Sequence, residues 1–145
     1  MKLNEIQDIW EVDSVIDDVL LDSVSVDTNK LHNKYFIILN GEKIALKKLE
    51  FDKKVLVKDK YEYYNGTIDE ETLKKRNWLP FGDRILKSNI SMYIDADGDF
   101  ILLEKAIENQ KLKVDYLMSI IDQINKRTFL IKNAIEWRRF TAGLS

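Results

Sequence analysis

Apolar positions recur every three to four residues along two long stretches of this chain, a period that predicts helices flanking an irregular middle segment. Leu3, Ile6 and Trp10 share one face of a short first helix, from about Leu3 to Glu11. Val12 to Val26 mixes acids, serines and valines without a stable period and reads as mostly loop. Asp27 or Thr28 then stands where the N-cap of a long second helix is expected. Leu31, Tyr35, Ile38, Ala45, Leu46, Leu49, Leu56 and Tyr63 continue at helical spacing to Asn65. Gly66 follows in the place of a left-handed C-terminal cap. Gly41 lies inside this span, costs about 1 kcal/mol relative to Ala, and marks where the helix is most prone to break.

Residues 67–96 are the least regular part. Asp69 is placed to cap a turn of helix through Lys75, and the run RNWLPFGDR reads as a connector pinned by Trp78 and Phe81. Residues 84–94 fit either a short strand or a helical turn. From about Asp97 the pattern becomes a seven-residue repeat. Phe100, Ile107, Val114, Ile121 and Ile135 occupy one seam position, and Leu103, Leu117, Ile124 and Ile131 the other. Gln110, Thr128 and Arg138 interrupt the seam, a break and restart is expected near Asn125–Thr128, and Gly143 marks the end of the last helix. Such a stripe is covered either by the second helix in an intramolecular hairpin or by a partner subunit. Its length favours the partner, with Ile107, Val114, Leu117, Ile121, Ile124, Phe129, Ile131, Ile135 and Phe140 as the assembly residues. The expected fold is therefore mainly α, one compact unit with an N-terminal region of residues 1–96 and a heptad-patterned C-terminal region of residues 97–145.

Composition narrows the class. One proline and five glycines in 145 residues, with 33% charged side chains, favour long helices over a turn-rich β fold. With no cysteine there is no disulfide framework and no thiolate metal site, which suits a reducing cytoplasm. The acidic opening MKLNEIQDIWEV lacks the apolar run of an export signal, and no window approaches the roughly 18 apolar residues of a membrane helix.

Catalytic chemistry finds little to stand on. His32 is the only histidine, so a triad or a His-metal cluster would depend on that one residue, and a surface or capping role fits it better. No phosphate-binding glycine loop is present. Asp95, Asp97 and Asp99 form a D-x-D-x-D run, but a calcium loop then needs Gly and Glu where Phe100 and Ala106 stand. These acids are expected to cap the helix that follows. No catalytic residue, metal site or cofactor is assigned.

The net charge of −2 conceals strong segregation. Residues 1–27 carry one lysine against eight acids, whereas residues 28–60 carry nine lysines against four. Residues 124–139 carry five basic side chains against Glu136 alone. Partners respond to charge within a Debye length, about 8 Å at physiological salt, rather than to the total. At 100° per residue, Lys43, Lys47, Lys54 and Lys58 fall within a sector of about 60°, with Phe51 and Tyr61 in or beside it. Lysines neutralise phosphates and aromatic rings stack on any base, an arrangement suited to single strands. A lysine stripe opposite an apolar one is also ordinary helix design.

Three segments carry a family resemblance. KKVLVKDKYEYYNG (Lys53 to Gly66) is similar to the lysine-rich motif of the UvsY recombination mediators of large tailed bacteriophages. RTFLIKNAIEWRRFTAG (Arg127 to Gly143) resembles that family more closely, through Arg127, Phe129, Ile131, Lys132, Arg138, Phe140, Ala142 and Gly143. Ala96, Asp97 and Asp99 fit its A-D-x-D turn, and KLNEIQDIW looks like the opening of cyanophage versions. The resemblance implies a ring-like homo-oligomer, hexamer or heptamer, that binds single-stranded DNA in the cytoplasm of the infected bacterial host. It also implies partnership with a RecA-like recombinase and with the phage single-strand-binding protein. It places DNA contacts at Lys58 and Lys60 and assembly in the C-terminal helices. The acidic total departs from a DNA-binding pattern, and helical arithmetic sets Lys60 near the apolar edge, where it either snorkels or supports packing. The alternative function is a helical phage scaffold protein without a DNA role.

Overall fold

A computed structural model describes residues 1–17 and 21–143, with backbone alone at 21–25. In chain order the elements are α1 (Leu3–Asp13), α2 (Leu21–Asn65), α3 (Glu70–Arg76), a 3-10 turn (Lys87–Asn89), α4 (Ile90–Asp95) and α5 (Gly98–Thr141). The fold is all-helical, with no strand among the described residues. No helix among them is long and apolar enough to cross a membrane.

Several boundaries follow the local chemistry. Asp69 caps α3, accepting the Thr72 N–H at 2.8 Å, and Asn77 ends that helix in the left-handed region at φ 59°. Gly66 takes φ 82° after α2, while the Thr67 and Ile68 N–H groups return to the Glu62 carbonyl at 2.9 and 3.1 Å. Gly143 does the same after α5, with φ 77°. The segment 84–94 resolves into the 3-10 turn and α4 rather than a strand.

Other expectations need correction. The stretch Val12 to Val26 is not mostly loop, because α1 runs to Asp13 and α2 already begins at Leu21; residues 18–20 lie outside the described residues. Asp27 and Thr28 are therefore inside a helix and not N-caps. No Gly or Pro lies between Leu21 and Asn40, so a helix anchored at Tyr35 and Leu39 propagates upstream without a breaker. Gly41 does not interrupt α2, and α5 passes Asn125–Thr128 unbroken. At the latter site Ile124, Arg127 and Ile131 are all buried at helical spacing, so packing holds the turn that local propensity left weak.

The chain divides into two compact units, one of Met1–Lys43 with Lys111–Ser145 and one of Ile44–Gln110. These limits fall within the two long helices and not at residues 96–97, where the sequence pattern changes. In the first unit α1 packs with the early turns of α2 and the later turns of α5. Its core is built from Ile6, Trp10, Tyr35, Leu39, Val114, Leu117, Ile120, Ile124 and Ile131. The Trp10 and Tyr35 rings meet edge to face at 5.3 Å. The Tyr35 hydroxyl donates to Asp13 at 2.8 Å, and Lys34 reaches the same carboxylate at 2.6 Å. In the second unit Leu56, Ile90, Ile94 and Ile107 form the core. Beside it, Tyr63 and Tyr64 hold Trp78 and Phe81, which pins the connector as its composition suggests.

The buried stripe of α5 shifts phase along the helix. Ile107, Gln110, Val114 and Leu117 keep the heptad, but Ile120 and Arg127 then replace Ile121 and Thr128 as the buried positions. In the first unit α5 has two helical neighbours, and covering both takes a wider face than a narrow coiled-coil seam provides.

Candidate nucleic-acid interface

The long helix α2 displays the lysine stripe. Lys47, Phe51, Lys54 and Lys58 are all exposed in the second unit, with Tyr61 half-buried at its edge; Lys43 is exposed at the end of the first unit's share of α2. Lys47 and Lys58 pair with neighbours on their own helix, Glu50 at 3.5 Å and Glu62 at 3.6 Å. Exposed pairs of this kind contribute about 0–1 kcal/mol, so a phosphate displaces the carboxylate at little cost. Lys54 sits 5.4 Å from the centroid of the Phe51 ring.

Lys60 is elsewhere. Its position two residues after Lys58 turns it by about 160° around the helix. Its side chain is 5% exposed, with the ammonium 3.0 Å from Asp97 and 2.8 Å from Asp99. The same ammonium lies 3.8 Å from the centroid of the Trp78 ring. Asp97 also accepts from the Tyr64 hydroxyl at 2.7 Å and from the Phe100 N–H at 3.1 Å. It thus caps α5 as its place in the sequence suggests, while Lys60 satisfies the rest of the cluster. The structure does not bring Lys60 onto the exposed stripe with Lys47, Lys54 and Lys58: two carboxylates and an indole surround its ammonium. Burial works to raise the Asp97 carboxyl, but the hydrogen bonds from Tyr64, Lys60 and Phe100, with the Lys60 charge, outweigh it and hold it below the usual carboxylate value. Burial, then the bond to Asp97, pushes the Tyr64 phenol well up.

The residues expected to drive assembly separate into two groups. Ile107, Val114, Leu117, Ile124 and Ile131 are buried within the chain itself, and Ile121 is half-buried. The five buried side chains fill the cores of their own units, Ile107 in the second and the others in the first. Phe129 and Phe140 are 69% and 72% exposed, and Ile135 lies at the margin of exposure. Leu130 and Trp137, which the heptad pattern does not single out, are exposed as well, and Trp137 stacks on Phe140 at 5.7 Å. At 100° per residue Phe129, Leu130, Trp137 and Phe140 fall in a sector of about 100° on the side of α5 away from its buried stripe. The same arithmetic applied to all apolar positions, rather than to a/d positions alone, finds this second face.

Arg127 is the other residue whose role the pattern did not reveal. It is buried, and its two terminal nitrogens donate to the Asp13 and Val15 carbonyls, each at 3.0 Å. A planar fork suits two carbonyls left unpaired where α1 ends. Burial lowers the proton affinity of its guanidinium, and the Asp13 charge works against that effect.

Known proteins match nearly the whole chain in sequence and fold. The family model described as "Recombination, repair and ssDNA binding protein UvsY" matches residues 9–144. The recombination protein UvsY of Enterobacteria phage T4 is 26% identical over 143 residues, covering 99% of each chain. A crystal structure of the bacteriophage T4 recombination mediator protein UvsY (lattice type II) superposes with a TM-score of 0.84 at 25% identity, covering 98% of each chain. A second crystal form, lattice type IV, gives 0.84 at 24% identity, covering 97% of this chain and 99% of the other. A family match that leaves out only residues 1–8 and Ser145, on a fold of the same helices, means that this chain belongs to the UvsY family of recombination, repair and single-stranded-DNA-binding proteins.

Proposed function

We propose that the protein is a phage recombination mediator that binds single-stranded DNA and helps load a RecA-like recombinase onto DNA covered by the phage single-strand-binding protein. It acts without catalysis, in the cytoplasm of the infected host. The observation that carries this reading is the exposed face of α2, where Lys47, Lys54 and Lys58 flank Phe51 and hold no buried ion pair. DNA binds there through phosphate neutralisation. Self-association uses the aromatic face of α5 formed by Phe129, Leu130, Trp137 and Phe140, and it repeats the lysine face around a ring-like homo-oligomer of six or seven copies. Multiplying weak contacts in this way offsets the acidic total charge through high local concentration.

Labelled oligo-dT titrated across a salt series, with the mass of the binding species measured by light scattering, tests the reading. Three lysines per protomer give a slope of log affinity against log salt of about −2 for one protomer's contacts, or roughly 20-fold between 50 and 200 mM. An oligomer that fails to bind oligo-dT at low salt overturns the DNA role and leaves an assembly protein in its place.

A further inference from the structure

Phe51 is an expensive residue to leave in water. It keeps 59% of its surface exposed in the middle of α2, with Lys54 against its ring. It forms part of a surface hollow of about 520 Å³ lined by Lys47, Glu50, Phe51, Lys53, Lys54 and Val57. The three cations of that hollow are held unequally. Lys53 is anchored to Glu104 at 2.6 Å, Lys47 pairs with Glu50 at 3.5 Å, and Lys54 rests on the ring. Lys47 and Lys54 stand four residues before and three after Phe51, about one 5.4 Å turn to either side along the same face. An apolar ring between two phosphate-seeking ammonium groups matches the alternation of a single strand, in which each base hangs between two phosphates. A duplex offers no such base face, since its bases are stacked on each other. Free phosphate or a polyanion gains nothing from the ring.

We infer that Phe51 is the stacking platform for one unstacked nucleobase, with Lys47 and Lys54 neutralising the phosphates on either side of it. The inference rests on the reading of the α2 face as the DNA-binding surface, and it adds the base as a recognised part of the ligand. Phe51 supplies a contribution to affinity that does not depend on salt, beside the lysine contribution that does. Base–aromatic stacking measured by alanine substitution corresponds to about 5- to 150-fold in affinity per base.

The test compares oligo-dT with an abasic oligonucleotide of the same length on the full-length protein, in wild type, Phe51→Ala and Phe51→Trp. Wild type is expected to bind oligo-dT at least about fivefold more tightly than the abasic strand. Phe51→Ala is expected to bind both strands equally, at the abasic level, with an unchanged salt slope and an unchanged melting temperature. Phe51→Trp is expected to restore the preference for bases. Equal binding of the two strands by wild type overturns the stacking platform and leaves the lysine face standing. The platform is likewise overturned if Phe51→Ala keeps the preference, or if it loses salt slope along with affinity. Binding of neither strand removes the DNA-binding reading itself, and the platform with it.

Discussion

Lys60 and Asp97 meet at 3.0 Å with only 5% and 7% of their side chains exposed, and this pair joins the end of α2 to the start of α5 within the second unit. Removing one partner of a buried pair leaves the other charged and unpaired, at a cost of about 3–5 kcal/mol. Lys60→Ala is therefore expected to lower unfolding stability by roughly 3 kcal/mol in urea titrations. Lys58→Ala is expected to leave stability within about 0.5 kcal/mol and reduce the salt slope of oligo-dT binding by about 0.7. A Lys60→Ala protein with wild-type stability contradicts the structural role given to this lysine.

The same cluster makes the second unit acid-sensitive. Asp97 is held below its usual value of 3.8, so its stabilisation is complete above that value and is lost as pH falls through the lower folded value. Asp13 in the first unit shares the direction: burial works to raise it, and the bonds from Lys34 and Tyr35, with the charges of Lys34 and Arg127, more than reverse this. The melting temperature is expected to hold between pH 7 and about 5 and to fall steeply below about pH 4. Asp97→Asn is expected to flatten part of that fall, which thermal melts across the acid range measure directly.

Arg127 ties the last helix to the end of the first. Arg127→Lys keeps the charge but offers a point donor where two carbonyls face a planar fork. Both Arg127→Lys and Arg127→Ala are expected to destabilise the protein, by about 1–3 kcal/mol for each carbonyl left unpaired. Amide hydrogen exchange should then rise in α1 before it rises in α3 or α4. Uniform loss of protection throughout the chain counts against a local capping role.

Gly41 is a case in which the side chain is missing without structural need. A Cβ built there meets nothing within 4 Å, and the residue is inside a continuous helix. Gly41→Ala is expected to raise stability by about 0.5–1 kcal/mol, seen as a higher urea midpoint at an unchanged m-value. Gly66→Ala is expected to act in the opposite direction. Its φ is 82° and a Cβ there would stand 3.1 Å from Arg84 Nε.

The exposed face of α5 makes a separate prediction. Replacing Phe129 and Phe140 together by Ser removes two large exposed rings without touching the buried stripe. The variant is expected to keep its helical circular dichroism and its melting temperature as a monomer, and to lose higher-order mass in light scattering. An unchanged mass shows that assembly uses another surface.

Periodicity and end signals made most of the fold legible. Asp69, Gly66 and Gly143 act through their own backbone chemistry, and neighbours in sequence suffice to recognise them. Asp97 was readable as a cap for the same reason. Its bond to Lys60 was not, because it joins residues 37 apart and nothing local encodes the meeting. The upstream extension of α2 was hidden because valines, serines and acids have weak helix propensities, and the helix anchored at Tyr35 and Leu39 propagates through them without a breaker. The heptad pattern is real, but its partner lies within the chain. Val114, Leu117, Ile124 and Ile131 repeat as a coiled-coil seam would, yet they pack inside the first unit, and the phase shift to Ile120 and Arg127 shows a helix with two neighbours. The lysine stripe was legible as geometry, since sharing one helix face follows from residue spacing alone.

The first unit is discontinuous, built from Met1–Lys43 and Lys111–Ser145, whereas the second is one unbroken segment. A ribosome therefore finishes the second unit first. Tyr35 and Leu39 must wait for Leu117, Ile124 and Ile131 to be made, roughly 90 residues after Lys43. At about 5–20 residues per second that is an interval of about 4–18 s. During that time α1 and the early turns of α2 carry their apolar faces without their final cover. The order of synthesis makes the segment after Gln110 the step that completes the fold. A chain halted before Ile131 exposes the apolar surface that chaperones and proteases recognise.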